Sequence, residues 1–105
     1  MDVSDRKAFA QEFYSRQVIL KELSMKGQRK LEKSKVAVVG VGGLGTVSSL
    51  YLALAGVGHL RLIDQDTVET PNLHRQILYS LDDLHYPKVE VAAERLEKFN
   101  PLLKA

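Results

Sequence analysis

The sequence predicts an α/β fold with a small parallel sheet, preceded by a helical arm. One short run is continuously apolar and β-branched, as in a buried strand, a second run has the length of a strand, and stretches with helical spacing follow them. A glycine-rich turn joins the first run to its helix. The chain has 105 residues, which is enough for one small domain.

Composition and charge disfavour several classes of protein. The 45% hydrophobic and 27% charged residues are typical of a globular protein, and no apolar stretch approaches the ~20 residues of a membrane span. The formal net charge is +2 and acidic residues alternate with basic ones, so we expect neither a nucleic acid nor a membrane partner. The polar N-terminus and the absence of Cys fit a cytoplasmic protein.

Histidine and cysteine usage predicts no metal site within this chain. The absence of Cys removes thiolate ligands and cysteine nucleophiles. His59, His74 and His85 are scattered without the spacing of metal ligands, so we interpret them as non-functional.

Residues 1–34 are expected to form the helical arm. The segment 4–33 is rich in helix-forming residues, and we predict two or three short helices there. We place a break at 24–27, which ends in glycine, and one more short helix at 28–33. The arm carries many charges and a narrow apolar stripe, so it must pack on the rest of the chain.

A second unit, residues 35–105, is expected to hold the sheet. The run Val-Ala-Val-Val at 36–39 predicts a strand buried on both faces, as is typical of parallel sheets. It ends at the glycine-rich residues 40–45, and an apolar helix is predicted at 46–55, closing at Gly56.

The remaining chain predicts a strand, a long loop and a helix. His59–Ile63 is the second predicted strand, and the polar stretch 67–86 follows it with a short helical turn expected at 73–78. Long loops of this kind in compact domains tend to be functional. A proline opens the last predicted helix, 87–99, and 102–103 could begin a third strand, although we expect the chain to finish before one can form.

The pattern Gly40-x-Gly42-x-x-Gly45 between a strand and a helix is the main candidate for chemistry. In that position the glycines permit a tight turn and a close approach of the backbone to a phosphate, while the helix N-terminus offers free N–H groups. Asp64 follows Gly40 by 24 residues at the end of the next strand, where it can take a ribose hydroxyl. These residues alone predict a nucleotide site and leave NAD or FAD open, and the alternative is glycines that only shape a turn.

The chain resembles the ThiF/MoeB/HesA family of the ubiquitin-activating-enzyme superfamily. The matching residues run in the family's order from residue 14 to residue 101. They are Tyr14-Ser15-Arg16-Gln17, Gly27-Gln28, Val38-Val39-Gly40-Val41-Gly42-Gly43-Leu44-Gly45, Tyr51-Leu52-Ala53, Ala55-Gly56-Val57-Gly58, Asp64-Gln65-Asp66-Thr67-Val68-Glu69, Asn72-Leu73-His74-Arg75-Gln76, Pro87-Lys88 and Asn100-Pro101.

The resemblance implies a Rossmann-like fold and ATP-dependent adenylation of the C-terminal glycine of a ubiquitin-like or sulfur-carrier protein that ends in Gly-Gly. It implies that residues 35–105 are the N-terminal portion of the adenylation domain, and that the enzyme is a homodimer. The nucleotide-binding residues that it implies are Gly40, Gly42, Gly43, Gly45, Asp64, Asn72 and Gln76, and the catalytic cations are Arg16, Arg75 and Lys88.

Each implied role has its own place in the reaction. Asp64 would hold the ribose, Arg75 and Lys88 would face the triphosphate, and Arg16 would reach the ATP of the partner subunit. Asn72 and Gln76 would hold the nucleotide loop in place. Attack on the α-phosphorus builds negative charge on phosphate oxygens, so the reaction needs positioned cations and N–H donors and no protein nucleophile.

The charged candidates also have purely structural interpretations. Arg75 could form a surface ion pair with Glu69 or Asp82, and Arg16 could pair within the arm. Asp66 could cap the loop instead of binding a ligand. Lys88 lies in the first turn of a predicted helix, where the helix dipole disfavours a cation, and this position favours a functional role.

The family's members are usually more than twice as long as this chain. The resemblance implies that the Asp that binds Mg²⁺ in the family, and the groove for the carrier protein, would lie beyond residue 105. A two-stranded parallel sheet leaves an open edge, so we expect either a fragment of a longer enzyme or a chain that associates with another. The alternative functions are a non-catalytic nucleotide-binding or dimerisation module and, more remotely, an NAD- or FAD-binding domain.

Overall fold

The computed structural model describes residues 2–18, 24–74 and 76–105, without the side chains of residues 16 and 18. The chain is an α/β protein with a small parallel sheet and a helical arm, as the sequence predicts. Its helices are α1 (Val3–Phe13), α2 (Ser15–Val18), α3 (Ser24–Lys33), α4 (Gly43–Ala55) and α5 (Lys88–Phe99), and its strands are β1 (Lys35–Val39) and β2 (His59–Ile63).

The two strands form a parallel pair, in register from Lys35 opposite His59 to Val39 opposite Ile63. Helix α4 packs on β1, α5 packs on β2, and the two helices contact each other, so both cover the same face of the sheet. A third parallel pairing begins on the other side of β2, where the Lys104 carbonyl accepts from the Leu60 N–H at 3.0 Å.

The prediction of a first strand buried on both faces is wrong. Val36 and Val38 are half-buried and pack on the core, whereas Ala37 is exposed and Val39 is 78% exposed. The alternation arises because α4 and α5 lie on one face, and no described element covers the other.

Three predicted local features also differ from the structure. Residues 24–27 are not a break, because they form the first turn of α3, and residues 19–23 before them lie outside the described ranges. Of the helical turn expected at 73–78, residues 73, 74 and 76–78 are described; they form no helix, and the Gln76 N–H donates to the Asn72 carbonyl in one isolated turn. Short 3₁₀ turns lie on either side of it instead, at Thr70–Asn72 and Leu81–Asp83. Helix α4 begins at Gly43, before the predicted start at residue 46.

The hydrophobic core lies between the sheet, α4 and α5. Each element contributes apolar side chains with little exposure, and the long loop after β2 adds more. The buried members are Val41, Ala53, Val57, Leu60, Val68, Leu78, Tyr79, Val91, Ala92, Leu96 and Leu103. The loop after β2 therefore belongs to the core along part of its length.

Polar side chains surround the C-terminal end of α4. Asn100 Nδ2 donates to the Ala53 carbonyl and to the Tyr14 hydroxyl, both at 2.7 Å, and it is 1% exposed. Burial raises the pKa of Tyr14, outweighing the hydrogen bond from Asn100, which lowers it. The hydroxyl therefore stays neutral and joins the arm to the end of α5.

Two glutamines complete this group. Gln17 Nε2 donates to Gln28 Oε1 at 2.6 Å and to the Ala55 carbonyl at 2.8 Å, and Gln28 Nε2 donates to the same carbonyl at 3.0 Å. A helix leaves its last carbonyls without intrahelical partners, and buried carbonyls need hydrogen bonds. We call Tyr14, Gln17, Gln28 and Asn100 the α4 cap cluster, since Gln17, Gln28 and Asn100 donate to these carbonyls and Tyr14 accepts from Asn100.

Gly56 allows α4 to end inside this cluster. Its φ is +108°, and the N–H groups of Gly56 and Val57 both donate to the Leu52 carbonyl. A Cβ at residue 56 would lie 2.1 Å from Gln28 Nε2. The position therefore requires glycine for its left-handed backbone and for its close contact with the cap cluster.

Replacing Gly56 by Ala should destabilise the chain by about 2–4 kcal/mol, because left-handed strain and overpacking each cost about 1–3 kcal/mol. Urea unfolding followed by circular dichroism measures this change. The matched control is Gly43→Ala, since a Cβ there meets no atom within 4 Å. The control should stay within about 1 kcal/mol of the parent, and equal stability of the two variants would contradict the cap-cluster packing.

Candidate functional site

The candidate site lies at the carboxyl ends of β1 and β2. The glycine-rich residues 40–45, here called the glycine loop, leave β1 and lead into α4. The N-terminus of α5 lies close to the end of β2, because the Lys88 N–H donates to the Asp66 carbonyl at 3.0 Å. Ligands of open α/β sheets bind at this edge.

Two glycines of the loop are required by backbone geometry. Gly40 has a φ of +88°, in the left-handed region, and its N–H donates to the Ile63 carbonyl at 2.7 Å. A Cβ at Gly45 would lie 1.7 Å from the Gly40 carbonyl oxygen, so the first turn of α4 packs directly on the end of β1. This contact brings the free N–H groups of the helix N-terminus to the sheet edge.

Asp64, the predicted ribose ligand, also holds the glycine loop. Its Oδ2 accepts from the Val41 N–H at 2.9 Å, and its Oδ1 accepts from the Asp66 N–H at 2.8 Å. Each carboxylate oxygen keeps a further acceptor site, so a ribose hydroxyl could bind without breaking either bond. Asp66 itself takes part through its backbone, and its side chain is exposed.

Tyr79 lies beneath the loop and was not predicted. Its hydroxyl donates to the Val41 carbonyl at 2.6 Å, and Val41 is fully buried. Burial raises the pKa of Tyr79, and the negative charges of Asp64 and Asp83 raise it further. The hydroxyl therefore remains a donor over a wide pH range. Nothing in a single sequence distinguishes this tyrosine within a polar stretch.

Gln76 lies next to the loop, in the segment after β2, and Asn72 precedes it by one hydrogen-bonded turn. Gln76 is 3% exposed, and its Nε2 lies 3.7 Å from the position of a Cβ on Gly42. The Asn72 side-chain oxygen accepts from the Glu69 N–H, and its carbonyl accepts from the Gln76 N–H, both at 2.9 Å. Gln76 Oε1 is buried and finds no donor within the described ranges.

Lys88 is a buried cation at the first residue of α5. It is 6% exposed, and it forms no ion pair with any carboxylate of the described residues. A lysine side chain with so little exposure and no carboxylate partner is electrostatically unfavourable, and the adjacent helix N-terminus does not offset this. An anionic ligand at this position would supply the missing charge.

Two predicted cations cannot be located. Arg75 lies outside the described residues, and the backbone of Arg16 belongs to α2 while its side chain is outside the description. Their predicted roles, and the alternative ion pairs with Glu69 or Asp82, stay predictions.

The described ranges, 2–18, 24–74 and 76–105, hold neither a metal-binding cluster nor a membrane-spanning helix. Within them, no group of three or more His, Asp or Glu side chains could hold a metal ion. In the same ranges, no helix has the length and hydrophobicity needed to cross a bilayer.

An ion pair fixes the loop that carries Tyr79. Arg95 Nη2 donates to both oxygens of Asp83, at 3.2 and 3.1 Å, and Ser80 donates to Oδ2 through its N–H and its hydroxyl. Burial raises the pKa of Asp83, but the Ser80 hydrogen bonds and the Arg95 charge outweigh it and leave the pKa below its usual value. The carboxylate thus joins the loop to α5.

A parallel strand, a glycine loop and a helix N-terminus in this arrangement define a Rossmann-like α/β protein. Comparison with known proteins specifies the family within that class. The chain belongs to the ThiF family, whose model matches residues 14–105. The resemblance stated from the sequence is thereby confirmed.

The chain is similar to several curated proteins over most of its length. It is 50% identical over 88 residues to the sulfur carrier protein ThiS adenylyltransferase of Escherichia coli K12, a match that covers 84% of this chain and 35% of that protein. It is 46% identical over 91 residues to the sulfur carrier protein adenylyltransferase of Thermus thermophilus, covering 87% and 34%. The chain spans about a third of the length of these relatives.

Solved structures agree with this assignment. The crystal structure of PaaA matches with a TM-score of 0.82 and 35% identity, covering 99% of this chain and 35% of that one. The crystal structure of Escherichia coli MccB with ATP matches with a TM-score of 0.72 and 43% identity, covering 73% and 23%.

Replacing Asp83 by Asn should lower the free energy of unfolding by about 1–3 kcal/mol at neutral pH, because charge-assisted hydrogen bonds are lost. Because the pKa of Asp83 is lower in the folded than in the unfolded state, its ionised carboxylate stabilises the fold at pH values above the unfolded-state pKa. This stabilisation is lost as the pH falls through the folded-state pKa. The difference between the two proteins should therefore shrink below about pH 4. Urea unfolding across pH measures it.

The neighbouring Asp82, which is exposed, provides the control. Asp82→Asn should leave stability within about 0.5 kcal/mol of the parent at every pH. A pH-independent loss in Asp83→Asn would contradict the role of the carboxylate charge.

Proposed function

We propose that the protein is an ATP-dependent adenylyltransferase acting on the C-terminal glycine of a ubiquitin-like or sulfur-carrier protein. In this proposal, residues 35–105 supply the ATP-binding N-terminal part of the adenylation domain, and residues 1–34 form its arm. The observation that carries the proposal is Lys88, a buried cation without a carboxylate partner in the described chain, near the sheet edge that holds the glycine loop. The names of the relatives supply the substrate class.

The proposed reaction needs charge at defined places. The glycine carboxylate attacks the α-phosphorus of ATP, a new P–O bond to the carboxylate forms, and the bond to the bridging oxygen breaks as pyrophosphate leaves. Lys88 and Arg75 offset the charge on the phosphates, and N–H groups of the glycine loop donate to phosphate oxygens. Asp64 holds the ribose, while Asn72 and Gln76 support the loop.

The proposed enzyme also has a partner subunit, a metal cofactor and a cellular compartment. Arg16 serves the ATP site of a second subunit in a homodimer. ATP is used with Mg²⁺, for which we expect ligands outside this chain. We place the reaction in the cytoplasm, where ATP is available.

A second candidate follows from the length of the chain, which is about a third of that of its curated relatives. In this second candidate function, the 105-residue chain alone binds ATP or associates with another chain but does not complete the reaction. Titrations of the purified chain with ATP, with and without Mg²⁺, and with NAD and FAD distinguish these possibilities. Tighter binding of NAD or FAD than of ATP would instead indicate a dinucleotide-binding domain.

Replacing Lys88 by Ala should weaken ATP binding by about tenfold or more, corresponding to about 1.4 kcal/mol, because the buried counter-charge is removed. Isothermal titration calorimetry measures the affinity. Lys98→Ala is the matched control on the same helix, since Lys98 is exposed and pairs with Glu94. The control should bind ATP as the parent does.

Lys88→Ala and a further variant, Arg75→Ala, test catalysis in the whole protein. ATP–pyrophosphate exchange should depend on a carrier ending in Gly-Gly and should be lost in Lys88→Ala and Arg75→Ala. Exchange at the parental rate in both variants would remove these residues from the site.

Self-association is proposed to use the outer face of α4. Tyr51 on this helix is 67% exposed and Leu44, two turns earlier, is 86% exposed. Tyr51→Lys should shift the protein toward monomer in size-exclusion chromatography with light scattering. Val3→Lys, at an apolar residue of α1 that is 83% exposed, is the control and should not shift it. A parent that is monomeric at high concentration would contradict the proposal.

A further inference from the structure

Val41, in the middle of the glycine loop, is held on both sides of its backbone. Its N–H donates to Asp64 Oδ2 at 2.9 Å, and its carbonyl accepts from the Tyr79 hydroxyl at 2.6 Å. Both partners belong to the chain after β2, which is distant in sequence. The loop therefore takes its backbone orientation from side chains outside itself.

The hydrogen bond from Tyr79 sets the direction of the next amide. In a trans peptide the carbonyl of one residue and the N–H of the next point in opposite directions. Because the Val41 carbonyl points at Tyr79, the Gly42 N–H points away from it. Within the described ranges this N–H donates to no acceptor, while the Gly42 carbonyl accepts from the Thr46 N–H and begins α4.

The peptide between Val41 and Gly42 needs such a constraint. Glycine opposes rotation of an adjoining peptide less than any other residue, so the sequence of the loop alone leaves this peptide free to turn over. The reversed orientation would direct the Val41 carbonyl toward the ligand side, where its negative end would repel a phosphate. It would also leave the buried Tyr79 hydroxyl without its acceptor.

We propose that Tyr79 is a positioning residue that presents the Gly42 N–H to the phosphates of the nucleotide. This inference rests on the proposed function, because it concerns the same ATP site. It assigns to the long loop after β2 a task beyond supplying ligands: the loop fixes the orientation of a phosphate-binding amide. The Asp83–Arg95 pair, which holds the same loop against α5, supports this placement.

The test compares Tyr79→Phe with the parent for two ligands. Phe keeps the buried ring and removes only the hydroxyl. Affinity for ATP should fall about fivefold or more, whereas affinity for adenosine, which has no phosphate, should stay the same. A residue that only stabilises the fold would change both affinities together. Calorimetric titration measures each ligand separately.

Tyr14→Phe is the matched control. Tyr14 is also buried and its hydroxyl is also hydrogen-bonded, but it belongs to the α4 cap cluster at the opposite end of α4. This variant should bind ATP as the parent does. Equal ATP affinity in Tyr79→Phe and the parent, or parallel losses for ATP and adenosine, would overturn the inference and leave the proposed function standing. A parent chain that fails to bind ATP would overturn both.

A second measurement avoids substitution altogether, in case Tyr79→Phe does not fold. Amide hydrogen exchange by NMR on the parent should show rapid exchange at Gly42 without ligand and slower exchange with saturating ATP. Adenosine should leave the Gly42 exchange rate unchanged. Equal exchange rates at Gly42 with and without ATP would overturn the inference.

Discussion

The buried carbonyls at the C-terminal end of α4 must be hydrogen-bonded, and the rest of the structure depends on how the chain achieves this. Ala53 and Ala55 accept from Asn100, Gln17 and Gln28. These side chains come from the arm and from the end of α5, so one helix end joins three separated parts of the chain. Leaving such carbonyls without partners would cost about 1–3 kcal/mol each, a large fraction of the stability of a small domain.

At the opposite end of α4, the free backbone groups are not capped by any side chain of the described residues. Its first N–H groups lack intrahelical partners and follow directly on the glycine loop. The carbonyls of Leu52, Ala53 and Ala55 are thus hydrogen-bonded where the helix serves the fold, whereas the N–H groups at its start are left available where an anion would bind. Side chains beneath the loop, Asp64 and Tyr79, restrain its backbone without occupying that space.

The sequence predicts the order of strands and helices well, because glycine turns and apolar runs are local signals. It fails on the burial of β1, since Ala37 and Val39 face away from both helices and their exposure depends on which face those helices cover. It marks Asp64 and Lys88 as site candidates through spacing and family likeness. It cannot mark Tyr79, whose partner is a backbone carbonyl 38 residues away. A long-range hydrogen bond to a backbone carbonyl leaves no pattern of side chains in the sequence, so sequence analysis cannot find it.

The length of α4 sets the distance between the arm and the glycine loop. Tyr14 and Gln17, which flank Arg16, are hydrogen-bonded at the C-terminal end of the helix. The helix has 13 residues, so its two ends are separated by about 20 Å, a distance well beyond the span of an arginine side chain. The residues on either side of Arg16 in the chain are therefore held at the end of α4 that is remote from the glycine loop.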